Sequence, residues 1–304
     1  MSRPQHTYIR PLNLRDLPQV VLLERLCFPP PEQASPLKLE YRLTVCPELC
    51  SGLFVREFDD SKLKGSSLPL RSTVKRETLI GAVIGTKTNS PLVTDASMGV
   101  GEGFHSVMCE NGQLKEAYLT RELRELMEKQ RDESLQSDTT SNANANANAN
   151  ANANANANAN ANANANANAN ANANDNDNAT IGHDDSGSTI AIHGVIVHPE
   201  FRGRRLGSLM VKDYIQKMAQ QDVAETVCLL CKESLVPFYA GLGFTDKGES
   251  QCRFAGVVWH DMVLKLEHPD DDDDDDNDNN DNDDDGSGES SNNSTVDYNN
   301  VRNL

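Results

Sequence analysis

The sequence predicts a mixed α/β domain: one sheet with helices on both faces and parallel pairing beside a basic loop. Three observations predict it. Strand and helix patterns follow one another as β-α-α-β-β-β-α-β-α-β-β, which calls for a layered α/β architecture. Strand–helix–strand units flank the loop Arg202–Gly207, and such units favour parallel neighbours. Once two low-complexity tracts are set aside, the blocks Thr7–Met98 and Ser188–Glu267 hold enough apolar sequence for a single core of ordinary size.

Each element has a local reason. Tyr8–Leu12 reads as a short strand. Asp16 is placed to cap a helix through Cys27, with Leu17, Val20, Val21, Leu23, Leu26 and Cys27 along one face. Phe28-Pro-Pro-Pro31 stops that helix. Ser35 and Pro36 then mark the N-cap and first position of a second helix running toward Val45. Strands are expected at Gly52–Phe58 and Thr78–Thr86, separated by a polar loop around Ser61–Arg76, and an amphipathic helix at Gln113–Arg131. A β-branched run from Ile190 stops after Val197 at His198-Pro199, and a helical pattern opens at Gly207 with Leu209, Met210, Val211 and Tyr214. A strand at Glu225–Cys231 follows. A short helix from about Leu235 to Leu242, closed by Gly243, and strands near Phe244–Gly248 and Val257–Leu266 complete the order.

Composition narrows the function classes. Asn-Ala alternation runs from Asn142 to Asn174 and continues as Asp-Asn to Asn178; beyond His268 the chain is rich in Asp and Asn. Neither tract has apolar side chains large enough to offset chain entropy, so both are expected to be disordered. The expected organisation is therefore an N-terminal part of one domain at 1–98, an insertion at 99–187, a C-terminal part at 188–268 and an acidic tail at 269–304. That tail accounts for thirteen of the eighteen net negative charges, which leaves a folded part too weakly charged to be a basic nucleic-acid binder. Seven scattered cysteines and the lack of a signal-peptide pattern or membrane-length apolar run point to a reducing, cytosolic compartment, with the nucleus also open, and to no membrane partner. A monomer is expected. Cys228 and Cys231 are three apart on a strand and so face opposite ways, which reads as buried thiols, not a metal pair.

The junction from Val195 to Met210 carries the chemistry. A strand, a tight basic loop and a helix N-terminus turn unpaired N–H groups and a positive dipole end toward one point, which suits a pyrophosphate. The loop Arg202-Gly-Arg-Arg-Leu-Gly207 resembles the acetyl-CoA signature of the GNAT N-acetyltransferases, Gln/Arg-x-x-Gly-x-Gly/Ala, with Arg205 standing where the signature has glycine. Four separated stretches, in order, resemble the arylalkylamine branch of that superfamily, and most closely its fungal polyamine N-acetyltransferases. They are Phe28–Leu37 with its Ser35-Pro-Leu37, Leu43–Phe54 with its Cys46-Pro-Glu-Leu49, Ile192–Arg202, and Cys231–Phe244 with its Leu235-Val-Pro-Phe-Tyr239.

The resemblance implies an acyl-CoA N-acyltransferase (GNAT) fold, a mostly antiparallel sheet with a parallel central pair. It also implies an acetyl-CoA-dependent amine N-acetyltransferase needing no metal and acting on a small primary amine, arylalkylamine or polyamine. Gly203, Arg204, Arg205, Leu206, Gly207 and Ser208 would hold the pyrophosphate through their backbone, with charge added by Arg202, Arg204 and Arg205. Val195, Ile196 and Val197 would pair with the pantetheine arm. Tyr239 would protonate the departing thiolate. His193 would act as base or relay; the vertebrate enzymes' other strand histidine falls at Ala191, so water, His183 or His260 would complete the path. Phe28, Pro36 and Leu37, with Leu230 on the floor, would form the amine pocket, with Glu32, Glu40 or Glu48 reaching a second ammonium and Asp261 beside Trp259 available to a cation. Two alternatives stay open: a protein N-terminal or lysine acetyltransferase, and an inactive CoA-binding scaffold.

Overall fold

The computed structural model describes residues 6–58, 74–144 and 180–267. Nearly all of the Asn-Ala tract, most of the polar loop before Arg76, and the acidic tail lie outside the described residues.

Among the described residues the main sheet has seven strands. In chain order they are β1 (Thr7–Pro11), β2 (Cys50–Phe58), β3 (Val74–Thr88), β6 (Thr189–Val197), β7 (Thr226–Cys231), β8 (Thr245–Glu249) and β9 (His260–Lys265). They lie in the order β1-β2-β3-β6-β7-β9-β8, and only β6 and β7 pair in parallel. The other two strands, β4 (Cys109–Glu110) and β5 (Gln113–Leu114), form a separate small hairpin. The helices are α1 (Leu17–Cys27), α2 (Pro36–Val45), α3 (Arg121–Asn144), α4 (Leu206–Gln220) and α5 (Val236–Ala240).

Helices cover both faces. On one, Met210, Val211, Tyr214 and Met218 of α4 pack against Ile190, Ile192 and Val227. On the other, Leu17, Val20 and Val21 of α1 and Leu39 and Leu43 of α2 pack against Phe54 and Leu79. A mostly antiparallel sheet with one parallel central pair and helices on both faces is the architecture the sequence implied.

A bulge in β6 decides which face its residues meet. Gly85 of β3 pairs with Ile192 and Ile84 with Gly194, so His193 is an extra residue in the ladder. Such an insertion reverses the alternation beyond it. Ile190 and Ile192 meet the α4 side before the bulge, and Val195 and Val197 meet it afterwards, while Ile196 turns to the α1 side.

Several boundaries differ from expectation. Asp16 stands at the N-cap of α1 but makes no capping bond there. Its carboxylate accepts the Asn13 N–H and pairs with Arg10 at 2.7 Å, closing a capping box one turn earlier. The helix expected at Gln113–Arg131 begins at Arg121, because Gln113 and Leu114 pair into the hairpin. Its apolar stripe docks: Leu123 is fully buried with α1 and α2. The short helix ends at Ala240, and Gly243 lies beyond it at φ 97°, a left-handed conformation that returns the Phe244 N–H to the Tyr239 carbonyl at 3.1 Å. Strand β9 starts at His260, after a turn at Phe254–Gly256.

Candidate active site

β6 and β7 are paired only from Thr189 and Thr226 to Ile192 and Leu229. Beyond that point Leu230 and Cys231 pair with Asp261 and His260 of β9, while β6 runs on to Val197 without a β7 partner. The strands part, and a cavity of about 500 Å³ fills the gap. The unpaired edge of β6 offers backbone groups to which an extended amide-bearing chain can add as a strand.

The turn after β6 is built by its own side chains. His198 Nδ1 accepts the Glu200 N–H at 3.3 Å. The Arg202 Nε donates to the Val197 carbonyl at 3.1 Å, which the Cys27 thiol also approaches at 3.4 Å. Arg204 folds back over Phe201, 5.2 Å from its ring centre, and donates to the Glu200 carbonyl; it braces the turn. Gly203 at φ 74° and Arg205 at φ 58° both take left-handed backbone, and α4 begins immediately afterwards with no side-chain cap. The first-turn N–H groups of α4 are thus without intrahelical acceptors and available to an anion. Arg205 departs from the loop signature at the position where glycine would be unstrained.

Of the residues expected to hold the cofactor, Val195, Ile196, Val197, Arg202 and Gly207 line the cavity. Gly203, Arg204, Arg205, Leu206 and Ser208 do not; the first four form the turn joining Arg202 to Gly207, and Ser208 follows it. The Leu206 side chain lies in the core, leaving only its backbone for a ligand.

Tyr239 is buried in α5, edge-on to Phe238 at 5.0 Å and Phe244 at 5.7 Å, and lines the cavity. Burial, with the nearby Cys231, pushes its phenol above the ordinary range, so the proton is held at neutral pH. Its hydroxyl makes none of the hydrogen bonds among the described residues. Tyr214 shows the contrasting structural case, fully buried with its hydroxyl donating to the Leu49 carbonyl at 3.0 Å.

His193, the bulged residue, lines the same cavity. Its Nε2 is 2.8 Å from Thr86 Oγ1, while Nδ1 is buried with no partner among the described residues. Burial, reinforced by Arg42 and Lys38, holds its pKa well below the usual histidine value, so the ring is neutral at pH 7. The groups considered as its relay lie elsewhere. His183 accepts the Lys87 N–H and meets Asp185, and His260 meets Asp246; neither lines the cavity.

At the acceptor end, Phe28 and Leu230 line the cavity as expected, together with Phe254 and Trp259. Pro36 and Leu37 do not. They form the first turn of α2, where Ser35 caps the helix; Pro36 is buried and Leu37 packs into the α1 side of the core. The expected acids are committed too. Glu32 lines the cavity but pairs with Lys232 at 2.7 Å. Glu40 is buried and takes Ser106 together with the N–H groups of Val107, Met108 and Cys109, and Glu48 is exposed in a turn away from the cavity. Asp261 is buried behind the lining, not within it.

Four charged residues not anticipated from the sequence do line the cavity: Glu24, Lys38, Arg42 and Lys232. Glu24 accepts the Ala34 N–H at 2.7 Å, and burial raises its carboxyl to about 7 against the lowering effects of that bond and of Arg42.

Part of this arrangement has counterparts among known proteins. Residues 138–266 match the model of the Acetyltransferase (GNAT) domain. Over that segment the chain is similar to a GNAT acetyltransferase domain. It is 33% identical over 84 residues to a serotonin N-acetyltransferase of Mesocricetus auratus, covering 28% of this chain and 41% of that protein. It is 35% identical over 76 residues to the uncharacterized N-acetyltransferase ycf52 of Pyropia yezoensis, covering 25% and 41%. The chain thus spans about two fifths of each of these relatives. Among solved structures, the loading GNATL domain of CurA from Lyngbya majuscula aligns with a TM-score of 0.47 at 12% identity, over 86% of this chain and 98% of that one.

The matched segment holds the basic turn, His193 and Tyr239; Glu24, Phe28, Lys38 and Arg42 stand outside it. A signal for Glu24 was present in the sequence. It lies three and four residues after Val21 and Val20, on the apolar stripe of α1, where a carboxylate is out of place unless used. Lys38 and Arg42 lack so clear a mark, since α2 carries charge on several sides. Among the described residues no group of three or more His, Cys, Asp or Glu could hold a metal. Cys228 and Cys231 face opposite sides of β7.

Proposed function

We propose that this protein is an acetyl-CoA-dependent N-acetyltransferase of small primary amines, of the arylalkylamine kind, that moves the acetyl group directly from thioester to amine. One observation carries the reading: an open β6 edge, an uncapped helix N-terminus and a tyrosine hydroxyl with no hydrogen-bond partner among the described residues meet at a single cavity. The open edge suits the amide-bearing pantetheine arm, and the turn from Arg202 to Gly207 suits its pyrophosphate. The amine nitrogen attacks the thioester carbonyl carbon, the C–S bond breaks, and Tyr239 gives its proton to the leaving sulfur. The amine must lose a proton. His193 is neutral and able to accept a hydrogen bond, and Glu24, at about 7, is the cavity group matched to holding that proton near neutral pH. Aromatic walls from Phe28, Phe254 and Trp259 favour an arylalkylamine. A polyamine's second ammonium would meet Lys38 and Arg42, and Glu32 is already paired, so the polyamine branch is the weaker of the two.

The test is a steady-state assay with acetyl-CoA and a panel of tryptamine, phenethylamine, spermidine and a basic peptide. The expected result is CoA release matched one to one by N-acetyl product, requiring the amine, with the arylalkylamines turned over fastest. Faster turnover of the peptide would transfer the protein to the protein acetyltransferases. Binding of acetyl-CoA with no transfer to any acceptor would make it a scaffold.

A further inference from the structure

Lys38 and Arg42 stand four residues apart on α2, on one face of the helix, and both reach the acceptor end of the cavity. Arg42 is 4% exposed; one Nη2 points at the Met98 carbonyl at 3.4 Å, and its Nε is buried without a partner among the described residues. Buried guanidinium donors are costly to leave unpaired, so this group has donor capacity that the described residues do not fill. Lys38 is half-buried and its ammonium takes no hydrogen bond among the described residues; its neighbour is the face of Phe254, 5.8 Å away.

The nearby acids do not cancel these charges. Glu32 is engaged by Lys232. Asp95, behind Lys38, receives the Cys252 thiol at 3.1 Å and does not line the cavity. Glu24, beside Arg42, is only about half ionised near neutral pH. The acceptor end is therefore apolar and aromatic on its walls and net positive at one place. Both cations act on His193, which sets that place close to the reacting end.

We propose that Lys38 and Arg42 form an anion subsite, and that the preferred acceptor is an aromatic primary amine that also carries a carboxylate. This rests on the amine-acetyltransferase reading and narrows its substrate class. The carboxylate would take the Arg42 guanidinium and the Lys38 ammonium while the amine faces His193 and the thioester. A plain arylalkylamine would fill the aromatic walls and leave both cations unpaired.

Trp259 is the only tryptophan and lines the cavity, so its fluorescence reports binding without any need for turnover. Wild type and Lys38→Met are titrated with N-acetylphenylalanine and with N-acetylphenethylamine, which differ by the carboxylate. Lys38 is chosen because it is half-buried at the cavity, whereas loss of the buried Arg42 would strand Glu24. Wild type is expected to bind the carboxylate ligand about tenfold more tightly or better, as a charge-assisted contact provides, and Lys38→Met to bring the two within about threefold. Equal or weaker binding of N-acetylphenylalanine by wild type overturns the proposal, as does an undiminished preference in Lys38→Met. Parallel assays with phenylalanine and phenethylamine as acceptors separate the two readings. Carboxylate-selective binding with no transfer to either amine would sink the acetyltransferase reading and leave the subsite standing. Transfer favouring phenethylamine would sink the subsite alone.

Discussion

His193 Nε2 and Thr86 Oγ1 lie 2.8 Å apart across the one irregularity in the β3–β6 ladder. The bulge that adds His193 to β6 brings its ring to the cavity, and the threonine hydroxyl of the neighbouring strand holds one ring nitrogen, leaving Nδ1 for other work. The strand position two residues earlier is Ala191, so Thr86 is the side chain that fixes this ring.

Thr86→Val keeps the shape and removes the hydroxyl. With its tautomer no longer set, His193 is expected to support a kcat lower by about tenfold, in the range typical of a mispositioned acid–base group, with the KM for acetyl-CoA little changed. Thr86→Ser should recover most of the rate. Steady-state kinetics on the two variants checks this, and equal rates in all three proteins would assign the contact to packing.

Glu24 links activity and stability to pH in opposite directions. Its folded carboxyl is raised to about 7, above the value near 4.5 of a free glutamate. Between those values the unfolded chain loses a proton that the folded chain keeps. The stabilising contribution is therefore complete below about 4.5 and lost as pH rises through 7, roughly 3 kcal/mol in all. Activity runs the other way, since the base must be ionised, and rises through neutral pH. Glu24→Gln should raise Tm at pH 8 relative to wild type, match it near pH 4.5, and remove the acidic limb of the rate profile. Thermal melts and kcat/KM between pH 5 and 9 measure both.

Arg205 holds φ 58° at the start of α4. Arg205→Gly removes the strain of a left-handed side chain, about 1–2 kcal/mol, and returns part of that as unfolded-chain entropy. A net gain of roughly 0.5–1 kcal/mol is expected in urea unfolding, with acetyl-CoA still bound. Arg205→Val should be destabilised instead, because a β-branched residue tolerates that backbone less well.

The sheet and its helices were legible in the sequence because their signals are local. Apolar spacing in α1 and α4, Ser35-Pro36 at α2, and the β-branched run before His198 each specify an element without help from distant residues. The basic turn was legible for the same reason; Tyr239 was singled out by the sequence resemblance, and it lines the cavity. What failed depends on pairing across the chain. The His193 bulge exists only because Ile84 and Gly85 pair as they do, and strict alternation along Thr189–Val197 hides it. Pro36 and Leu37 follow a sequence resemblance, yet the turn of α2 directs them into the core and presents Lys38 and Arg42 to the cavity. The α3 stripe was visible at Leu123 and Met127, but its start was misplaced because Gln113 and Leu114 are used in a hairpin formed with Cys109 and Glu110.

The central claim is that Tyr239 protonates the sulfur leaving a thioester held along β6. Tyr239→Phe keeps the ring and its packing on Phe238 and Phe244 and deletes only the hydroxyl. The decisive measurement is kcat of this variant alongside its acetyl-CoA affinity by calorimetry. The account predicts a kcat lower by about 100-fold, the range expected for loss of a general acid, with affinity within about twofold of wild type. A kcat equal to that of wild type, with acetyl-CoA bound as before, would contradict it.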